Sequence, residues 1–347
     1  MPAYAARAYS YMLPPELIAQ KPAARRENSR LLVLHKDTGR RQHKHFYDIP
    51  AFLDKNDLLV FNDTRVLPVR LTGRKSTGAR CEILLLKRLA ADRWECLAKP
   101  GRRLSQNSVV EFGADFSAKI LDVLPGGRRV AQFSFAGNFL DSLSKHGQTP
   151  LPPYVKPSDP DTEALRKFRY QTVYARVPGA AAAPTAGLHF SRNLLTRLKK
   201  QGIAAARVTL HTSLGTFQPL KAADIRAHQM HAEEYNFPAE TARAVNECRK
   251  RGGRVVAVGT TTARVLETVY QAGHPLASRS GETAIYIYPG YKFKLVDALI
   301  TNFHLPRSTL LLLVSALAGR GKILQAYQEA VKLKYRFFSF GDAMLII

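Results

Sequence analysis

The chain has 347 residues, 46% of them hydrophobic and 23% charged, which excludes a largely disordered protein and leaves room for two domains, because single cores stop growing near ~250–300 residues. Its 52 Lys and Arg stand against 27 Asp and Glu, a formal net charge of +25, which points either to a polyanionic partner, nucleic acid first, or to a solvated basic surface and nothing more. The cysteines Cys81, Cys96 and Cys248 have no CxxC spacing, so neither a four-cysteine metal site nor a disulfide framework is indicated, and a reducing, cytoplasmic setting is expected.

Arg7, Pro14 and Pro15 occupy the N-terminal region, which does not read as a signal peptide. Pro14 to Gln20 predicts a short helix with prolines in its first turn. Leu31 to Leu34 is a brief strand, and Asp57 to Phe61 a buried one that stops in the polar cluster Asn62-Asp63-Thr64-Arg65. Polar groups at the ends of buried strands are where α/β folds hold ligands. The alternative for Asp63 and Arg65 is a mutual ion pair that spares a buried carboxylate.

From about Leu67 to Ser142 the pattern changes to short alternating segments, among them Cys81 to Leu86, Val109 to Phe112 and Val130 to Phe135, separated by Gly73, Gly101, Gly113 and Gly126-Gly127. Such spacing predicts a small β-barrel that closes on its own edges. The proline cluster between Thr149 and Tyr154 marks its end.

An α/β pattern then resumes. Asn193 to Lys200 and Ala239 to Arg251 predict helices, Ala206 to His211 and Arg254 to Val258 strands, and Ala263 to Gln271 another helix. The apolar run Leu310 to Ala318 is too short to span a bilayer, which takes ~20 residues, and predicts a buried helix. Three loops share a small, polar character: Ala182-Ala183-Pro184-Thr185-Ala186-Gly187-Leu188-His189-Phe190, Val258-Gly259-Thr260-Thr261-Thr262, and Ile300-Thr301-Asn302-Phe303-His304-Leu305-Pro306. Together they predict one composite site, because small residues admit a ligand close to the backbone and histidine exchanges protons near neutral pH. The Gly259 loop is either an anion cradle at a helix start or a plain turn.

Taken with Phe61-Asn62-Asp63-Thr64-Arg65-Val66, Tyr170-Gln171-Thr172-Val173-Tyr174-Ala175, Leu214-Gly215-Thr216-Phe217 and Gly341-Asp342-Ala343-Met344-Leu345, these motifs resemble, in the same order, those of the S-adenosylmethionine:tRNA ribosyltransferase-isomerase family of queuosine biosynthesis. The resemblance runs from about Pro14 to Leu345. It implies a larger α/β domain, residues 1–66 and 150–347, interrupted by a β-barrel insertion at 67–149. It also implies transfer and isomerisation of the ribosyl part of S-adenosylmethionine onto 7-aminomethyl-7-deazaguanine at the wobble position of a tRNA, with release of adenine and methionine. The expected partners are that tRNA and S-adenosylmethionine, which is a co-substrate, so no cofactor, metal or membrane is expected and a monomer is. An RNA-binding protein without activity and a methyltransferase are the competing readings. The second would carry a glycine-rich loop after its first strand, which this chain lacks.

Breaking a glycosidic bond beside a sulfonium calls for proton transfers. His189 and His304, then His211, are the acid/base candidates, each with a purely structural hydrogen-bonding role as the alternative, and Asp63 joins them as the group that would hold a ribose hydroxyl or the substrate ammonium. Thr64, Arg65, Tyr170, Thr185, Gly187, Phe190, Gly259, Thr260, Thr261, Asn302 and Phe303 are expected around the substrates, the aromatic rings as stacking platforms for a splayed base. His228 and His231 are spaced to share a helical face. Arg25, Arg26, Lys99, Arg102 and Arg103 are expected to contact phosphates, which positions an RNA without reading its sequence.

Overall fold

The computed structural model describes residues 4–152, 154–156, 159–212, 220, 222–273 and 275–347. The Leu214-Gly215-Thr216-Phe217 motif lies outside the described residues. The chain divides into two compact units, one formed by Met1–Arg65, Pro153–Val177 and Ala183–Ile347, the other by Val66–Pro152 and Pro178–Ala182.

The larger unit is built on a nine-stranded sheet. Four neighbouring strands run parallel at its centre, in the order Ala204–Leu210, Leu58–Asn62, Val255–Val258 and Ala298–Asn302. Three of these runs are buried at every position, as strands of a parallel sheet covered on both faces must be, and Ala204–Leu210 is buried at Ala206 and from Val208 to its end. Alternate residues separate the two faces. Leu58, Val60, Val208, Ala257 and Leu299 pack against the core that includes helices Ala239–Lys250, Thr260–Gln271, Thr309–Ala318 and Arg320–Lys332, whereas Leu59, Phe61, Val256, Val258 and Ile300 pack with Phe46, Phe190, Leu194 and Leu198.

The first of the four strands in the chain, Leu58–Asn62, lies between the second and the third, so the chain turns to opposite sides of it. That is a topological switch point, and its crevice lies outside the carboxyl ends of the strands. Asn62, Leu210, Val258 and Asn302 end the four strands there. Strand Ala343–Ile346 runs antiparallel to its neighbour with Ala343 opposite Asn302, so Asp342 reaches the same end of the sheet.

The smaller unit is a barrel. Arg70–Arg74, Arg80–Arg88, Arg93–Lys99, Arg128–Phe135, Phe116–Val123 and Val109–Gly113 pair in that order, and an Arg74 to Glu111 pairing closes the ring. An α/β unit with a β-barrel is the architecture expected from the sequence. Two local expectations are corrected. Pro15–Leu17 forms only a single 3-10 turn, and the three threonines after Gly259 belong to the first turn of helix Thr260–Gln271 instead of a loop. Among the described residues no single helix is long and apolar enough to cross a membrane.

Candidate functional site

The three small-residue loops meet at the switch point. Asn62 fastens two of the strand ends: its Nδ2 donates to Leu210 O (3.0 Å) and to Thr261 Oγ1 (3.3 Å), while its Oδ1 accepts from Leu210 N (3.0 Å) and Thr64 N (3.2 Å). Gly259 starts the next helix with φ +94°, and a β-carbon built there would lie 3.8 Å from the Ala186 β-carbon, which brings the Thr185–His189 turn over the helix start. Asn302 joins the third loop to that turn through His189.

His189 is buried within a directed chain of hydrogen bonds. Asn302 Nδ2 donates to the Phe338 carbonyl (2.9 Å), which fixes the orientation of its amide, and also to His189 Nε2 (3.2 Å). Nδ1 of His189 must then carry the proton, and it donates to Ser29 Oγ (2.7 Å), whose own hydrogen goes to Arg26 O (3.3 Å). Burial pushes the His189 pKa down to about 4, against a smaller pull upward from Asp342. The imidazole is therefore neutral at pH 7 in one tautomer. Phe46 stacks on it with ring centroids 5.1 Å apart.

His304 shares a hydrogen bond between its Nε2 and Thr301 Oγ1 (2.8 Å), and burial pushes its pKa down to about 3. Its backbone is pinned by Tyr327, whose hydroxyl accepts from His304 N, and by Tyr11, whose hydroxyl donates to His304 O. Asn302, His304, Thr185, Tyr154, Ser308 and Ser339 line one cavity. Oδ1 of Asn302 is buried without a partner among the described residues, an acceptor left for a ligand. His211, just past its strand, is half-buried and bonds Thr64 Oγ1 through Nδ1 (2.8 Å). Burial lowers its pKa, and the Glu234 and Asp63 carboxylates oppose that shift.

Several expectations are corrected by burial. Asp63 does not pair with Arg65: its carboxylate, completely buried, accepts from Thr209 Oγ1 (2.7 Å) and from Arg176 Nε and Nη2 (each 3.0 Å), and Arg65 is exposed. Phe190 packs edge-on against Phe46 and Phe61, and Phe303 is ringed by Tyr327, Tyr335 and Phe337. Both rings are fully buried and are core residues, not free stacking faces. Tyr170 is likewise enclosed, with the edge of Phe340 against it. Gly187 is required for packing, since a β-carbon there would overlap the Tyr174 hydroxyl and come within 2.9 Å of Thr172 Cγ2. Arg26 is half-buried, unlike the other expected phosphate contacts, and Leu188, Arg169 and Gln171 carbonyls orient its guanidinium. Arg25, Lys99, Arg102 and Arg103 are exposed. His228 and His231 lie outside any helix. Thr260 and Thr261 are buried in the helix's first turn.

Sequence reasoning did not single out Ser29 or Arg176, and took Asn62 only as part of a motif. Asn62 had a readable signal, an amide closing a buried apolar strand. Ser29 had none, because its role depends on His189, 160 residues away.

The chain matches the family described as queuosine biosynthesis protein over residues 6–346. A protein of Pelotomaculum thermopropionicum named S-adenosylmethionine:tRNA ribosyltransferase-isomerase is 53% identical over 341 residues, covering 98% of either chain. Relatives of that name from Moorella thermoacetica and Desulforamulus reducens are 53% and 50% identical, again over 98% of either chain. The crystal structure of S-adenosylmethionine tRNA ribosyltransferase from Thermotoga maritima shares 40% identity and a TM-score of 0.57, with 98% of this chain and 100% of that one covered. Matches of this identity along nearly the whole length, over a fold with its polar loops gathered at one switch point, mean that the chain belongs to the queuosine biosynthesis protein family.

Proposed function

We propose that the protein is an S-adenosylmethionine:tRNA ribosyltransferase-isomerase, moving the ribosyl part of S-adenosylmethionine onto 7-aminomethyl-7-deazaguanine at a tRNA wobble position and releasing adenine and methionine. The observation that carries this reading is full-length identity of about half to relatives of that name. The convergence of His189, Asn302, His304 and the Thr260 helix start on one crevice supports it.

In this reading His189 and His304 act as neutral imidazoles, which accept a proton and cannot give one at pH 7. One of them takes the acidic proton from the ribose carbon beside the sulfonium. His211, whose pKa burial also lowers, meets the substrate as a hydrogen-bonding group beside Thr64. Asp63 is held by Thr209 and Arg176 and orients Arg176 at the crevice rim. Asn302 Oδ1 accepts from the substrate, and the free N–H groups of the Thr260 turn favour a polar or anionic group. S-adenosylmethionine is a co-substrate here and not a resident cofactor. Exposed Arg25, Lys99, Arg102 and Arg103 contact tRNA phosphates, and the protein works as a cytoplasmic monomer, where both substrates are met.

The test is incubation with S-adenosylmethionine and a tRNA carrying 7-aminomethyl-7-deazaguanine, with free adenine and the nucleoside mass as readouts. Adenine release with the mass of the epoxycyclopentanediol adduct is expected. A methylated base, or tRNA binding without adenine, would overturn the reading.

A further inference from the structure

A second, small cavity opens on the other side of the His189 chain, lined by Arg26, Ser29, Arg169, His189, Ser339 and Gly341 among others. Its two arginines are held in an unusual way. Arg26 gives Nη1 to Leu188 O (3.0 Å) and Arg169 O (3.4 Å), and Nη2 to Gln171 O (2.9 Å). Arg169 gives Nη1 to Ala24 O (3.1 Å) and Nη2 to Ala23 O (2.9 Å), and its Nε is buried with no partner among the described residues. Every acceptor is a neutral carbonyl, and neither guanidinium is in an ion pair among the described residues. The nearby Asp342 carboxylate does not offset them, because it is already shared by Arg30 and Arg336.

Carbonyls orient a guanidinium without neutralising it, so two partly buried cations stay uncompensated beside a neutral histidine. Their mutual repulsion is visible in Arg26, where burial first and then Arg169 bring the pKa down to about 10. Pairs of guanidiniums fixed by backbone present their remaining N–H groups as a rigid fork for a planar or tetrahedral anion.

We propose that the Arg26–Arg169 cavity is an oxyanion site, filled in the working enzyme either by the α-carboxylate of S-adenosylmethionine or by a phosphate of the tRNA. An oxyanion there lies against the Ser29 end of the hydrogen-bond chain, so its binding fixes the position of His189. The two sources rest on the function proposed above. The site itself rests on the two arginines.

Arg169→Gln removes one charge while leaving an amide to bond the Ala23 or Ala24 carbonyl, and Arg169→Lys keeps the charge without the fork. Affinities of the wild type and both variants are measured for S-adenosylmethionine, its decarboxylated analogue and tRNA, with inorganic sulfate against chloride at matched ionic strength as a third probe. If the carboxylate is the ligand, the wild type prefers S-adenosylmethionine over the decarboxylated analogue by about tenfold or more, Arg169→Gln erases that preference and Arg169→Lys keeps part of it. If the ligand is a phosphate, Arg169→Gln instead weakens tRNA binding by about tenfold with a shallower salt dependence. Variants that fold and bind S-adenosylmethionine, tRNA and sulfate as the wild type does would overturn the site. Should Arg169→Gln fail to fold, the Arg169→Lys comparison and the wild-type preference for the carboxylated ligand still decide it. A wild type that releases no adenine sinks the proposed function alone, since the sulfate difference between wild type and variant is read without turnover.

Discussion

His189 shows how one side chain can be both structural and chemical. Its two ring nitrogens are engaged in opposite senses, Nε2 accepting from Asn302 and Nδ1 donating to Ser29, so His189→Ala strands a buried amide N–H and a buried hydroxyl. A stability loss of about 1–3 kcal/mol is expected in denaturant titrations, with adenine release down by ~10²–10⁴-fold. Loss of stability with normal turnover would assign the residue to structure alone. The pH dependence follows from the same burial. The folded pKa values, about 4 for His189 and about 3 for His304, lie below the ordinary histidine value of 6.5, so below pH 6.5 the unfolded chain binds protons that the folded one refuses. Stability from this pair is fully present above that pH and falls as the pH drops toward 4, by about 1.4 kcal/mol per pH unit for each histidine. Urea titrations between pH 7 and 4.5 measure the slope, and His189→Gln should remove about half of it. At Gly187 the constraint is purely steric: Gly187→Ala drives a methyl group into Tyr174 and Thr172 and should cost about 1–3 kcal/mol.

At the scale of elements, the start of helix Thr260–Gln271 carries the heaviest local constraint. Gly259 has φ +94° and ψ 150°, a region open essentially to glycine alone, and the nearest atoms to a built β-carbon, at 3.4 and 3.8 Å, leave room for it. Gly259→Ala is therefore destabilising through backbone strain and not through overlap, by about 1–3 kcal/mol. It should also raise KM for S-adenosylmethionine more than it lowers kcat, because the strain tilts the first turn at the crevice; thermal unfolding and steady-state adenine assays separate the two effects. Much of this element was legible in the sequence, since an apolar run, a glycine and a helical pattern announce a strand, a sharp turn and a helix. The threonines misled because their propensity argues against a helix interior, yet Thr262 satisfies its hydroxyl on the Val258 carbonyl (2.8 Å) and all three are covered by neighbouring segments. Tertiary cover outweighed propensity. The same cause explains Phe190 and Phe303: an aromatic ring beside a histidine looks alike in sequence whether it faces a ligand or the core, and only the packing of Phe46, Phe61, Tyr327 and Tyr335 decides.

For the molecule as a whole, composition offered a polyanionic partner or a merely solvated basic surface, and no contacts for either. The +25 charge is spread along the chain, and the structure sorts it. Arginines such as Arg129, Arg166 and Arg254 are partly or fully buried and engaged with carbonyls or carboxylates, so they organise the fold. Arg25, Lys99, Arg102 and Arg103 are exposed and remain free to displace the counterions of a polyanion. If about six such side chains neutralise phosphates of a single-stranded loop, log K should fall with log salt at a slope of about −4, a loss of roughly 300-fold between 50 and 200 mM. Replacing Arg102 or Arg103 by alanine should make that slope shallower by about 0.7 each and weaken all tRNAs alike, because a phosphate contact carries no sequence information. The measurement is filter binding or fluorescence anisotropy with unmodified and modified tRNA across the salt series. A flat response would mean that the charge solvates the surface, and a discrimination between tRNAs that survives at high salt would have to come from the wobble base in the crevice.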